Sequence, residues 1–332
     1  MMKKAEIAII GGGSSGMMAA LRAVLNNNSA LFFMGSSKTK KRSRAQWVSR
    51  VENMPGYHSF KKGILNPNQE TLQFIESSNL AHKLQKIPSS VIKIEKTQDG
   101  FILTDDKEDL YQAQYLVLAT GVMDVQPHIQ GSIEPVLPYA NNQLIDYCLR
   151  CDGHHALGKK TSVIGHTDGA GQVAIILKER YDCPQMSILT NGEAPQLSAE
   201  VKKLLDLYHV NIYTSPIRSI EGRPSEKILT SFTLEDGSII PSEISFVSLG
   251  TIVYHQLAKD LGCDLDERGF VKTNAKSESS VSGVYAVGDI QAGKKNQIYT
   301  GWDLAVDALD DINMKIRYQR RQMLIQKNAE CK

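Results

Sequence analysis

Glu6-Ile7-Ala8-Ile9-Ile10-Gly11-Gly12-Gly13-Ser14-Ser15-Gly16 is the stretch on which the fold turns. Its first five residues form a short run rich in β-branched side chains, and the glycines that follow punctuate it as a turn. Residues 17–25, Met-Met-Ala-Ala-Leu-Arg-Ala-Val-Leu, have a helix-forming composition. Ala30-Leu31-Phe32-Phe33-Met34 supplies the next strand and closes a strand–turn–helix–strand unit. In that setting G-x-G-x-x-G has a definite mechanism. Gly11 permits the tight turn, Gly13 lets the backbone approach a pyrophosphate, and Gly16 lets helix pack on strand. The helix start then offers amides and partial positive charge to phosphate groups. One feature dissents: the second strand ends Met34-Gly35-Ser36, with no carboxylate to grip a ribose.

The pattern then repeats. Lys159-Lys160-Thr161-Ser162-Val163-Ile164-Gly165 leads into a second glycine-containing turn, residues 169–180 read as a helix, and residues 185–190 as the following strand. A strand at residues 115–119 ends in Thr120-Gly121, and another at residues 283–287 ends in Gly288-Asp289. A helix is expected from about residue 296 to 317, followed by a polar tail of low structural promise. The fold class is α/β, with two Rossmann-like three-layer dinucleotide-binding domains, the second inserted into the first. The expected division is 1–122 with 246–332 for the outer domain and 123–245 for the inserted one.

Bulk properties narrow the function classes. The chain has 332 residues, 42% of them hydrophobic, which suffices for two packed cores. Net charge is +2, so nothing global points to nucleic acid or a membrane surface, and no apolar run approaches the roughly 20 residues of a membrane span. The start of the chain reads as a first strand rather than a signal peptide, so the expected location is the cytoplasm. Among five cysteines only Cys148-Leu149-Arg150-Cys151 has C-x-x-C spacing. In a reducing compartment such a pair is usually catalytic or metal-binding. A two-residue spacer lets both sulfurs meet at a helix start, where one thiol is held as thiolate, and an adjacent carboxylate, Asp152, can shuttle a proton. The alternatives are two inert thiols, or a zinc site completed by His154 and His155. The second is cramped, because adjacent histidines rarely point at one metal, and no metal is assigned.

Taken in order, residues 11–16, Val51-Glu52-Asn53-Met54-Pro55-Gly56, Ala119-Thr120-Gly121, Cys148-Leu149-Arg150-Cys151-Asp152-Gly153 and residues 283–289 resemble the low-molecular-weight thioredoxin reductases. The likeness spans about residues 5–310. It implies an FAD-binding outer domain and a homodimer. Gly11, Gly13, Ser14, Ser15 and Gly16 would hold the FAD pyrophosphate, with Thr120, Gly121 and Gly288 in the same lining. Asn53 would lie beside the flavin and Asp289 would bind the ribityl chain. Gln297 and Ile298 would open a helix aimed at the flavin. Cys151 would face the flavin, Cys148 would exchange with an external disulfide, and Asp152 would serve the pair as proton donor and acceptor. The partner implied is a thioredoxin-like protein or a small dithiol or disulfide.

The family pattern breaks in the second turn, Gly165-His166-Thr167-Asp168-Gly169-Ala170. Thr167 replaces the middle glycine, and Asp168 adds negative charge where phosphates should bind. NADPH-dependent relatives carry an arginine cluster after the next strand; here the residues are Leu189-Thr190-Asn191-Gly192-Glu193-Ala194-Pro195-Gln196. Losing such charge-assisted bonds, worth about 1.5–3 kcal/mol each, argues against NADPH as electron donor. The basic run Lys38, Lys40, Lys41, Arg42 and Arg44 reads as a solvated loop, and it would also suit an acidic carrier such as ferredoxin or flavodoxin. The expectation is an FAD-dependent thiol–disulfide oxidoreductase. The alternatives are an FAD-dependent dithiol oxidase and a non-enzymatic flavin redox sensor.

Overall fold

The computed structural model describes residues 2–36, 44, 47, 48 and 50–330; Lys38, Lys40, Lys41, Arg42 and Cys331 lie outside the described residues. The chain divides into two compact units, Met1–Trp47, Lys62–Met123 and Val253–Lys332 in the first, Val48–Lys61 and Asp124–Ile252 in the second. The crossings thus fall at 123/124 and 252/253, and the stretch containing Asn53 is grouped with the second unit.

In chain order the first unit runs β1 (Lys3–Ile10), α1 (Ser14–Leu25), β2 (Ala30–Phe33), α2 (Leu65–Ser77), β3 (Leu84–Ile87), β4 (Val91–Thr97), β5 (Gly100–Asp105) and β6 (Leu110–Leu118). A short β7 (Val122–Asp124) leads into the second unit, where α3 (Leu137–Ala140), β8 (Ile145–Asp146) and α4 (Leu149–Asp152) come first. Then follow β9 (Thr161–Ile164), α5 (Asp168–Tyr181), β10 (Met186–Leu189), α6 (Ala199–Leu207) and β11 (Asn211–Tyr213). An antiparallel set, β12 (Ile217–Arg223), β13 (Ile228–Leu234) and β14 (Ile239–Pro241), precedes β15 (Ile244–Val247). The chain returns through β16 (Thr251–Val253), which pairs with β7, and ends in α7 (Gln256–Asp260), β17 (Val284–Ala286) and α8 (Ile298–Glu330).

The first unit is built on a seven-stranded sheet in the order β3-β2-β1-β6-β5-β4, with β17 also pairing with β6. Strands β3, β2, β1, β6 and β17 are parallel, with Ile7 opposite Ala30 and Tyr115. Alternation along β1 sends Ile7 and Ile9 to one face, with Phe32, Val117, Ala20 and Ala23 of α1 and Leu304 and Ala308 of α8. Ala8 and Ile10 go to the other, with Leu31, Phe33, Leu116 and Leu118. Burial on both faces is why these strands read as unbroken apolar runs.

The second unit repeats this plan with a parallel sheet ordered β11-β10-β9-β15-β8. Val163, Ile188 and Phe246 pack with Ala170 and Ala174 of α5. Ile164, Leu189 and Val247 pack with Phe232 and Leu234 of the β12–β14 set. Both strand–turn–helix–strand units form as the sequence predicts.

The C-terminal expectation needs correction. Residues 318–330 are not an unstructured tail; α8 continues through them to Glu330. They contain Arg, Gln, Met, Leu, Lys, Ala and Glu, all strong helix formers, with no glycine or proline to stop the helix. Tyr318, Met323, Leu324 and Ile325 are exposed on it. Among the described residues no helix is long and apolar enough to cross a membrane.

Candidate active site

Cys148 and Cys151 are joined in a disulfide with Cα atoms 5.2 Å apart. Cys148 caps the single turn α4 in an extended conformation (φ −130°, ψ 98°). Its carbonyl accepts from the amides of Cys151 at 3.0 Å and Asp152 at 2.9 Å, and its sulfur accepts from the Cys151 amide at 3.1 Å. The C-x-x-C spacing therefore works as one helical turn with the sulfurs on the same side. An Asp152 carboxylate oxygen lies within 4.8 Å of both sulfurs. Behind the turn, Gly153 packs so closely that a Cβ there would stand 3.0 Å from the Tyr181 ring, which fixes the chain direction after Asp152.

The next two residues form a charged network. His154 Nε2 and His155 Nε2 lie 2.9 and 3.1 Å from the same oxygen of Glu52, Oε2. His155 Nδ1 lies 2.8 Å from Oδ2 of Asp146, a residue only 6% exposed. The Asp146 bond outweighs the cost of burying the ring, and with help from Glu52 and the charge of Asp152 raises the His155 pKa to about 9. Burial pushes the Asp146 carboxyl up, against the pull of His155. For Glu52 burial acts upward too, but the bonds to His155 and His154 prevail and hold its pKa down. The convergence of adjacent histidines on one atom departs from the sequence expectation. The short 3-10 turn Gly153–Ala156 tilts the rings 55° to each other with centroids 4.4 Å apart, and Asp146 fixes one of them.

The first glycine turn lies wholly in the first unit. Gly11 has φ +124°, and a Cβ there would stand 2.2 Å from the Ala119 carbonyl; at Gly16 a Cβ would stand 1.8 Å from the Gly11 carbonyl. Gly13 caps α1 without a side-chain bond, and the first turn of α1, where Ser14, Ser15 and Gly16 sit, holds no acidic residue. Thr120 and Gly121 follow directly on the strand beside Gly11, where the Thr120 hydroxyl donates to the Tyr254 carbonyl at 2.7 Å. Gly288 packs on the same turn, since a Cβ there would stand 2.3 Å from Ser15 Oγ. Asp289 follows it and pairs with Arg44 at 3.2 Å. Gln297, 8% exposed, and Ile298 stand where α8 begins. Asn53 and the cysteine pair belong to the second unit.

These residues fit FAD. Glycines bring the turn against its own strands more closely than a Cβ would allow, and its helix N-terminus carries no competing acid. At the end of β2, Ser36 donates to Asp106 Oδ2 at 2.5 Å, while Oδ1 of Asp106 is buried with no hydrogen-bond partner among the described residues. A carboxylate thus stands at the strand end after all, delivered from the turn after β5 rather than from β2 itself. Sequence reasoning missed it because residues 36 and 106 meet only through the sheet. The link of Glu52 to His154 and His155 was likewise hidden by sequence separation.

The second turn is tied down by its own chain. Asp168 Oδ1 accepts from the Ser198 amide at 2.7 Å, and the Gln196 amide donates to the His166 carbonyl at 2.7 Å. Asn191, at the end of β10, donates to the His128 carbonyl at 2.9 Å and accepts from the Ile217 amide at 2.8 Å.

Known proteins share this fold and sequence pattern. A thioredoxin reductase of Borreliella burgdorferi is 27% identical over 256 residues, covering 76% of this chain and 73% of that protein. The solved thioredoxin reductase of Giardia duodenalis has a TM-score of 0.80 at 23% identity, covering 95% of this chain and 100% of that one. That of Streptococcus pyogenes has a TM-score of 0.78 at 20% identity, covering 96% and 100%. Residues 5–311 match the family described as pyridine nucleotide-disulphide oxidoreductase, and the chain belongs to that family.

Proposed function

We propose that this chain is an FAD-dependent thiol–disulfide oxidoreductase that exchanges electrons through Cys148 and Cys151 and does not take them from NADPH. The observation that carries the first part is the disulfide on a one-turn helix with the Asp152 carboxylate within 4.8 Å of both sulfurs. FAD, when bound, supplies a two-electron redox couple. Gly11, Gly13, Ser14, Ser15 and Gly16 would hold its pyrophosphate and Asp106 its ribose. Thr120, Gly121, Gly288, Asp289, Gln297 and Ile298 would complete its lining, and Asn53 would take the flavin-side role that the family resemblance gives it.

On taking up two electrons and two protons, the Cys148–Cys151 bond becomes two thiols. Asp152 holds and returns the proton that makes one of them a thiolate. The Cys148 thiolate attacks one sulfur of an external disulfide, forming a mixed disulfide and releasing the first thiol. Cys151 then attacks the Cys148 sulfur, restoring the pair and releasing the second. The substrate is a thioredoxin-like protein or a small disulfide. With the second turn tied by Asp168 and Asn191 to its own chain, a protein carrier of the ferredoxin or flavodoxin class suits the role of donor.

The test is anaerobic titration of the purified protein, following the flavin absorption band. Dithiothreitol is expected to bleach it and NADPH to leave it unchanged. Cys148→Ser and Cys151→Ser are each expected to keep the yellow colour and lose thiol turnover. Turnover surviving in either variant would remove the pair from the reaction, and rapid bleaching by NADPH would remove the donor assignment. The tied second turn equally favours a dithiol oxidase, in which a dithiol gives two electrons and two protons to oxygen, forming a disulfide and hydrogen peroxide. Oxygen uptake with dithiol as sole reductant separates that reading from the reductase.

A further inference from the structure

The network on Glu52 gathers metal-ligating atoms around one point. His155 presents Nε2 to Glu52 Oε2 at 3.1 Å, while Asp146 Oδ2 stands 2.8 Å from its Nδ1. His154 repeats the arrangement at 2.9 Å on the same oxygen. Two imidazole nitrogens and one anionic oxygen are thus gathered around a single point, all within 4.8 Å of one another. One doubly charged ion would serve all three at once.

We propose that Glu52, His154 and His155 form a binding site for a divalent first-row transition ion of the zinc type, with Asp146 orienting His155. Two nitrogen ligands and one carboxylate suit Zn(II), Co(II), Ni(II) or Fe(II) rather than the all-oxygen preference of Mg(II) and Ca(II). The Asp146 contact supplies what ligating histidines commonly have, a carboxylate on the other ring nitrogen that fixes tautomer and ring direction. Asp146 is 6% exposed and comes from β8, so this support is built into the sheet rather than gathered from the surface. A cavity of about 410 Å³ opens on the ligands, lined by Arg50, Val51, Glu52, Tyr57, His58 and His154. It provides an entry path and room for the waters that complete the coordination of an open three-ligand site. The thiols play no part, because Cys148 and Cys151 are bonded to each other.

The site stands independently of the flavin reading, and so does its test. Chelator-treated, oxidised holoprotein is titrated calorimetrically with zinc chloride, then with cobalt and calcium chlorides. One zinc ion per chain is expected, with calcium giving no heat. His155→Ala, His154→Ala and Glu52→Gln are each expected to weaken zinc at least about tenfold, and Asp146→Asn to weaken it on the order of tenfold through the orientation of His155. The Cys148→Ser/Cys151→Ser double variant should bind as the parent does. Absence of saturable zinc binding overturns the proposal. So does parent-like affinity in the Glu52 and both histidine variants, or a loss of binding confined to the cysteine variant.

Discussion

In both units a buried parallel strand ends in a glycine whose amide bonds to the end of the neighbouring strand, Gly11 to the Phe33 carbonyl at 2.9 Å and Gly165 to the Leu189 carbonyl at 3.0 Å. A Cβ at either would strike a carbonyl of the next strand, at 2.2 Å from Ala119 and 2.5 Å from Ser248. From there the turns part. The first continues through Gly13 to a helix start without a capping side chain or an acid. The second continues through Thr167 to Asp168, whose carboxylate holds the Ser198 amide, while Gln196 pairs with Thr167. The leading glycine is thus a requirement of folding and appears in both turns. The middle of the turn is where they differ, Gly13 with no acid in the first and Thr167 followed by Asp168 in the second. A glycine motif read as a unit merges these two positions, and the comparison separates them.

The largest expected effect falls on Gly16. Its counterpart in the second turn, Ala170, already carries a Cβ, whereas a Cβ on Gly16 would stand 1.8 Å from the Gly11 carbonyl, where only backbone could move. Gly16→Ala should cost on the order of 3 kcal/mol and strip most of the flavin. Thermal unfolding together with the ratio of flavin to protein absorbance reads both. A variant that folds normally and stays yellow would mean the two turns do not differ in helix approach.

A smaller effect is expected from reopening the second turn. In Thr167→Gly/Asp168→Asn the middle Cβ and the negative charge are both gone, yet Thr190, Asn191 and Glu193 still offer no cationic clamp at the strand end. The gain in NADPH affinity, read by equilibrium titration, should stay within about tenfold, roughly 1.4 kcal/mol. A gain of several orders of magnitude would place the whole barrier in the turn and none at the strand end.

What could be read from the sequence follows the range of the forces involved. Both strand–turn–helix–strand units were legible because their signals are local: β-branched runs such as residues 6–10 and 161–164, glycines at the turns, and C-x-x-C at one helical turn. The extension of α8 is hidden by the polarity of residues 318–330, whose helix propensity is the signal that reveals it. The rest was out of reach for a different reason. Glu52 meets His154 across 102 positions, Ser36 meets Asp106 across 70, and Arg44 meets Asp289 across 245. No periodicity or motif links such pairs; only the completed sheets bring them together.

The smallest expected effect is also the sharpest test of the division between folding and ligand demands. Gly169 lies in the same turn as Gly165 but on the first turn of α5, and the nearest atoms to a Cβ there are Ser248 Oγ and Thr167 Oγ1, both at an ordinary 3.5 Å. No packing contact demands a glycine at this position. Gly169→Ala should therefore stabilise the protein by about 0.5–1 kcal/mol through reduced freedom of the unfolded chain, with flavin content unchanged. Chemical denaturation measures a shift of that size. If the substitution instead destabilises, the second turn needs backbone room that its own hydrogen bonds do not account for, and a bound phosphate group becomes the natural reason for the glycine.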